Sequence, residues 1–167
     1  MAFSRSSNVT GVSSFSKENL DNYIKVQQQH VNHGKKILNG QFNNGYMLMF
    51  GSGAVGVLWA TVPVVGAPIA LVSVAAGVFS NFYQDQTKDQ LDAFTADTEK
   101  GLTALKAIQS DWENKKGVFS NNIVSIKLSI PISRMYDSAR RQTQNFAAVA
   151  GVRVTSATTA SGIVFES

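Results

Sequence analysis

Tyr46–Tyr83 reads YMLMFGSGAVGVLWATVPVVGAPIALVSVAAGVFSNFY, and it lies within a run of 48 residues, Ile37–Gln84, that carries no charged side chain. A stretch this apolar needs a surface other than water to lie against. Pro63, Gly66 and Pro68 sit near its middle, where they favour a turn. We interpret the stretch as a hydrophobic helical hairpin. Its two arms are residues 46–60 and 69–83.

The composition of the whole chain fits one domain and excludes several classes of site. The chain has 167 residues, no cysteine and a net charge of +4. Disulfides and thiolate sites are therefore excluded, and a charge this small and dispersed does not indicate nucleic acid binding. Residues 1–15 lack the apolar core of a secretory signal and predict a flexible tail. Residues 16–167 are expected to form a single helical domain that contains the hairpin, 46–83.

Two amphipathic helices flank the apolar run. Ser16–Leu38 places apolar residues on one face, and Ser16 is suited to cap its N-terminus. Asp85–Lys116 has the clearest helical period of the sequence, and Gly117 is expected to cap its C-terminus. The stripe of this second helix comprises Leu91, Phe94, Thr98, Leu102, Leu105, Ile108 and Trp112.

The C-terminal third of the sequence gives a more mixed pattern. Residues 124–132 alternate apolar and polar as a strand does, with Pro131 favouring an edge position, but residues 118–132 also fit a helical stripe. Ser133–Ala150 resembles a helix, and Val152–Phe165 is suited to a final strand. The predicted fold is therefore a mainly α-helical bundle around the hydrophobic hairpin, with a small β element near the C-terminus.

The hairpin has features of a membrane-inserting element. Each arm offers about 15–18 apolar residues against the roughly 20 of a spanning helix, which favours conditional insertion over a permanent anchor. Small residues at four-residue spacing would let two helices approach closely, and aromatic residues at the base suit a membrane interface. The proposed tip is Trp59, Val62, Pro63 and Val64; the packing ridges are Ser52, Gly56, Ala60, Ser73 and Gly77; the interfacial belt is Tyr46, Phe50, Phe79, Phe82 and Tyr83.

An uncharged hairpin rich in Gly, Ala and Val between amphipathic helices resembles that of the α-helical pore-forming toxins, such as the colicin channel domains and the cytolysin A and haemolysin BL group. The resemblance covers about 40 residues and rests on architecture. It implies a hairpin that is packed away in a soluble form and inserted on reaching a membrane. This chain is shorter than the cytolysin A group and lacks most of its long helices.

Other signals in the sequence are weaker. Gly51–Gly56 satisfies a dinucleotide fingerprint, but the acidic residue expected about 20 positions later is missing. His30 and His33 make at most half of a metal site, so no metal site is predicted. Arg134, Arg140 and Arg141 are interpreted as a solubilising helix face. No catalytic constellation stands out, so we expect neither an enzyme nor a cofactor or small-molecule substrate.

The sequence therefore predicts a pore-forming protein that is released in soluble form and becomes membrane-associated. Its expected partners are the lipid bilayer and further copies of itself, as a homo-oligomer on the membrane; no nucleic acid partner is expected. Two alternatives remain open. One is a self-assembling structural subunit, in a filament or shell, that uses the hairpin as its assembly core. The other is a small membrane protein anchored by the hairpin.

Overall fold

Two α-helices and five strands make up the part of the chain described by the computed structural model, residues 3–38, 88–137 and 142–167. The prediction of a mainly α-helical bundle is wrong, because every strand joins one antiparallel sheet. In chain order the elements are β1 Phe3–Phe15, α1 Lys17–Leu38, α2 Lys88–Glu113, a 3-10 helix Gly117–Asn121, β2 Ile123–Asp137, β3 Gln142–Ala148, β4 Arg153–Thr159 and β5 Val164–Glu166.

Strand β2 is the centre of the sheet. β1 pairs with one of its edges along almost its whole length. The other edge is shared, since β4 pairs with Ile123–Ser129 and β3 pairs with Ile132–Asp137. β5 adds three residues beyond β4. The strand predicted over residues 124–132 is thus confirmed, but it is part of a longer and central strand.

Two segments differ from their predicted conformation. Phe3–Phe15, expected within the flexible tail, is the long strand β1. The helix predicted over Ser133–Ala150 is wrong, because β2 continues to Asp137 and β3 occupies Gln142–Ala148. Pairing with β1, more than 100 residues earlier in the chain, overrides a local pattern that favours a helix. Val152–Phe165 contains two strands, β4 and β5, joined by a turn.

The core lies between one face of the sheet and both helices. On β2 the buried hydrophobic residues include Ile126, Leu128 and Ile130, whereas Lys127 between them is exposed. This alternation puts every second side chain against the helices. From its predicted stripe, α2 contributes Phe94, Thr98, Leu102 and Leu105. The rings of Phe15 on β1 and Tyr23 on α1 meet with centroids 5.5 Å apart. Further core residues are Leu20, Ile24, Val31, Phe119, Ile123 and Ala157.

The helix ends follow capping rules, with one correction. The Asn19 amide donates to Ser16 Oγ at 3.1 Å, which confirms the predicted N-cap of α1. At the end of α2 the residue that closes the helix in the left-handed conformation is Lys115, with φ of 52°; Gly117, with φ of 55°, adopts this conformation two residues later. The Lys116 amide donates to the Asp111 carbonyl at 2.9 Å and the Lys115 amide to the Trp112 carbonyl at 3.2 Å. These two bonds form a Schellman motif, which ends the helix before Gly117 is reached.

Pro131 lies inside the sheet, although proline was expected to mark an edge. Its carbonyl accepts a hydrogen bond from the Val149 amide at 2.9 Å. The nitrogen and carbonyl of a paired strand residue point to the same side, so the proline nitrogen faces the turn between β3 and β4. No neighbouring strand residue needs a backbone amide from position 131, because the turn lies opposite it. A central strand therefore tolerates proline at this position.

Candidate functional site

Helices α1 and α2 form an antiparallel pair. Lys17 at the start of α1 bonds to Glu113 at the end of α2, with 3.1 Å between Nζ and Oε1. Lys35 in the last turn of α1 forms an ion pair with Glu99 in the first half of α2. The chain therefore leaves α1 and enters α2 at the same end of the pair. Residues 39–87, which hold most of the uncharged run, connect these two points.

A polar seam joins the two helices along their shared surface. Asp21 Oδ1 accepts bonds from Lys17 Nζ at 2.6 Å and from Gln109 Nε2 at 2.8 Å. Burial opposes its ionisation, but these two donors more than compensate, so the pKa of Asp21 lies below its ordinary value. Burial also lowers the pKa of Lys17, yet the bonds to Asp21 and Glu113 raise it above its ordinary value overall. Both groups stay charged near neutral pH.

Gln27 joins both helices to the sheet. Its side chain is 1% exposed, and Nε2 donates to the Thr98 carbonyl at 3.1 Å and to the Ala148 carbonyl at 2.6 Å. The residue lies on the apolar face of α1, between Ile24 and Val31. A buried amide group at this position needs hydrogen bonds to offset its lost hydration. One side chain thus connects α1, α2 and β3.

Gly101 allows α2 to approach β3 at the same junction. A Cβ atom at this position would lie 2.5 Å from the Ala148 oxygen and 3.0 Å from the Val149 oxygen. Both are backbone atoms, which no side-chain rotation can move. Glycine is therefore required for the close approach, and it accounts for an otherwise unfavourable residue in a helix interior. We refer to Gln27, Thr98, Gly101 and Ala148 as the helix–sheet junction.

The structure tests few of the residues that the sequence marked as functional. The proposed tip, ridges and interfacial belt lie within residues 46–83, outside the described residues, as does the glycine fingerprint Gly51–Gly56. Arg140 and Arg141 also lie outside them. Arg134 is on strand β2 and not on a helix, so its assignment to a helix face is wrong. His30 and His33 are both on α1.

The described residues give no direct indication of a metal site or a membrane span. Within residues 3–38, 88–137 and 142–167, no group of three or more potential acidic or histidine ligands is placed to hold a metal ion. In the same ranges, no helix has both the length and the apolar character needed to cross a bilayer. No protein family, curated protein sequence or solved structure matches the chain.

The helix–sheet junction was not predicted, although the sequence contains signals for it. Gln27 interrupts the apolar stripe of α1, and a polar residue on a buried face often forms specific hydrogen bonds. Gly101 lies within the strongest helical period of the chain, where a glycine indicates close packing. Neither signal identifies the partner. Ala148 belongs to a segment that the sequence assigned to a helix.

Proposed function

We propose that this protein acts on membranes by inserting the uncharged run Ile37–Gln84 into a lipid bilayer, and that several copies together permeabilise it. Before insertion the protein is soluble, with the apolar run shielded from water. On insertion, apolar surface buried within the protein is exchanged for apolar surface buried in lipid. The described helices and sheet act as the polar body that remains outside the hydrocarbon.

One observation carries this proposal: 48 uncharged residues are connected at both ends to a well-packed helix pair. The antiparallel arrangement puts both connections at the same end of the pair, which is the geometry that a hairpin entering one surface requires. Phe94 and Thr95, within the first two turns of α2, are 5% and 4% exposed, whereas Asp89 and Asp92 nearer the connection are exposed. A folded body with both attachments at one end can present the run without unfolding.

The antiparallel sheet departs from the all-helical architecture of the α-helical pore-forming toxins. The resemblance to those proteins therefore adds little beyond the hairpin itself. The proposal depends on the uncharged run and on the position of its two ends.

The test places one charge at the proposed tip. A charged side chain in the hydrocarbon core costs about 2.5–3.5 kcal/mol on insertion scales, so Val64→Asp should strongly reduce dye release from liposomes. Val64→Leu is the matched apolar control and should retain it. Val124→Asp adds the same charge at a residue of the sheet that is 48% exposed, and should also retain it. Circular dichroism checks that all three variants fold as the unchanged protein does.

Three results would overturn the proposal. The first is Val64→Asp with undiminished dye release. The second is an unchanged protein that neither binds liposomes on flotation nor releases dye. The third is a protein that forms large regular particles by electron microscopy without any lipid, which would favour the self-assembling subunit. A protein found only in the membrane fraction after expression would instead favour the permanent anchor.

A further inference from the structure

One edge of strand β1 is hydrogen-bonded to β2, and the other edge is directed away from β2. The direction of the Pro131 carbonyl shows which residues of β1 point their backbone amide and carbonyl to the outer edge. The Pro131 carbonyl points towards Val149, on the side of β2 opposite to β1. Thr10 is the register partner of Pro131 on β1. Pairs that exchange no hydrogen bonds alternate with pairs that do. The amide and carbonyl of Thr10 therefore point away from β2, to the outer edge of β1.

Two further residues of β1, Val12 and Ser14, direct their backbone groups to the outer edge as Thr10 does. Val12 and Ser14 pair with Ser129 and Lys127, two and four residues before Pro131. The Lys127 carbonyl accepts a bond from Thr155 Oγ1 at 3.3 Å, so it faces β4 and not β1. The backbone groups of Val12 and Ser14 thus also point to the outer edge. No described strand pairs with this edge.

Beyond the irregularity between Arg5 and Ser7, the outer edge of β1 lacks the features that normally prevent strand addition. Natural edge strands are kept short or carry proline, lysine or an interrupting bulge. From Ser7 to Phe15 the strand has no charge, no proline and an unbroken register with β2. The edge strand β5 on the opposite side follows the usual pattern, since it has three residues and carries Glu166. Within the described residues, β1 is therefore the longest strand edge open to strand addition, since the outer edge of β3, also unpaired there, has seven residues.

We propose that this edge pairs with the β1 strand of a second copy of this chain, as an antiparallel two-fold dimer that continues the sheet across both molecules. Arg5 is the one charge within Phe3–Phe15, so self-pairing away from Arg5 sets no like charges opposite each other. Head-to-tail pairing would join β1 of one copy to β5 or β3 of the next. It is disfavoured, because β5 has only three residues and the Ala148 carbonyl of β3 already accepts a hydrogen bond from Gln27 Nε2. A two-fold interface uses the same patch on both copies and closes at a dimer.

The first test removes one outward hydrogen-bond donor. Val12→Pro deletes an amide that faces the outer edge, and leaves every bond between β1 and β2 in place. We expect the unchanged protein to form a dimer by analytical ultracentrifugation, and Val12→Pro to weaken it at least tenfold. Ser13→Pro is the contrasting variant, because its amide faces β2 and its loss should lower the melting temperature. Val12→Lys blocks the edge without a proline, should Val12→Pro fail to fold.

The second test uses the absence of cysteine from the chain. Single cysteines at Thr10, Val12 and Ser14 should form disulfides between two copies, with the yield highest nearest the two-fold axis. Ser161→Cys, in the exposed turn between β4 and β5, should give little product. A protein that stays monomeric at high micromolar concentration, both in solution and on liposomes, would overturn the proposal. Equal yields at all four positions, or a dimer unaffected by Val12→Pro and Val12→Lys, would also overturn it.

Discussion

Gly101→Ala should destabilise the protein, although alanine favours helices over glycine. In an open helix the exchange would stabilise by about 1 kcal/mol. In this protein the new methyl group would lie 2.5 Å from the Ala148 oxygen, whereas ordinary contacts begin at 3.4 Å. Helix α2 must therefore move away from β3 by about 1 Å, and overpacking of this kind costs about 1–3 kcal/mol.

The same movement affects the hydrogen bond of Gln27. Its Nε2 lies 2.6 Å from the Ala148 oxygen, and a shift of the helix pair would stretch or break this buried bond, at a cost of about 1–2 kcal/mol. The overpacking and the weakened hydrogen bond lower the free energy of unfolding, and the gain in helix propensity raises it. The net loss is about 2 kcal/mol. For a chain of this length that corresponds to a fall in melting temperature of about 4–8 °C.

The assay is thermal and urea unfolding followed by far-ultraviolet circular dichroism. Ala107→Gly, on the exposed face of the same helix, is the matched control and should cost about 1 kcal/mol through propensity alone. Gly101→Ala and Ala107→Gly should thus both destabilise the protein, although one replaces glycine by alanine and the other alanine by glycine. If Gly101→Ala raises stability by about the amount that Ala107→Gly lowers it, the close approach of α2 to β3 is refuted.

Three further predictions concern the described residues. Gln27→Ala should cost about 2 kcal/mol in urea unfolding, because two carbonyls lose a buried donor, and Gln27→Glu should cost more. Because the pKa of Asp21 is lowered by folding, stability should fall as the pH drops below about 4, and Asp21→Asn should flatten this part of a pH–stability profile. Pro131→Ala should change the melting temperature little, whereas Ser129→Pro, which loses a bond to β4, should cost about 3 kcal/mol.

The two helices could be predicted because their information is local. The stripe of α2 contains four buried residues of the predicted set, Phe94, Thr98, Leu102 and Leu105, and its period alone fixes which face is covered. Ser16 as the N-cap of α1 needed only the residue type and its position. The junction at Gln27 could not be predicted, because its acceptors lie 71 and 121 residues further along the chain.

By itself the sequence determined the uncharged run and the two amphipathic helices around it, since each depends on composition or on a short period. For residues 124–132 the sequence favoured a strand but left a helix open, and the pairing in the sheet decided between them. Only the tertiary structure decided that Phe3–Phe15 is a strand and that residues 133–137 and 142–148 belong to the sheet. Both segments are polar and lack a clear alternation of their own. The pairing of β1 with β2 closes over more than 100 residues, and β3 pairs in turn with the β2 residues that β1 holds in the sheet. No local pattern records which distant strand will pair.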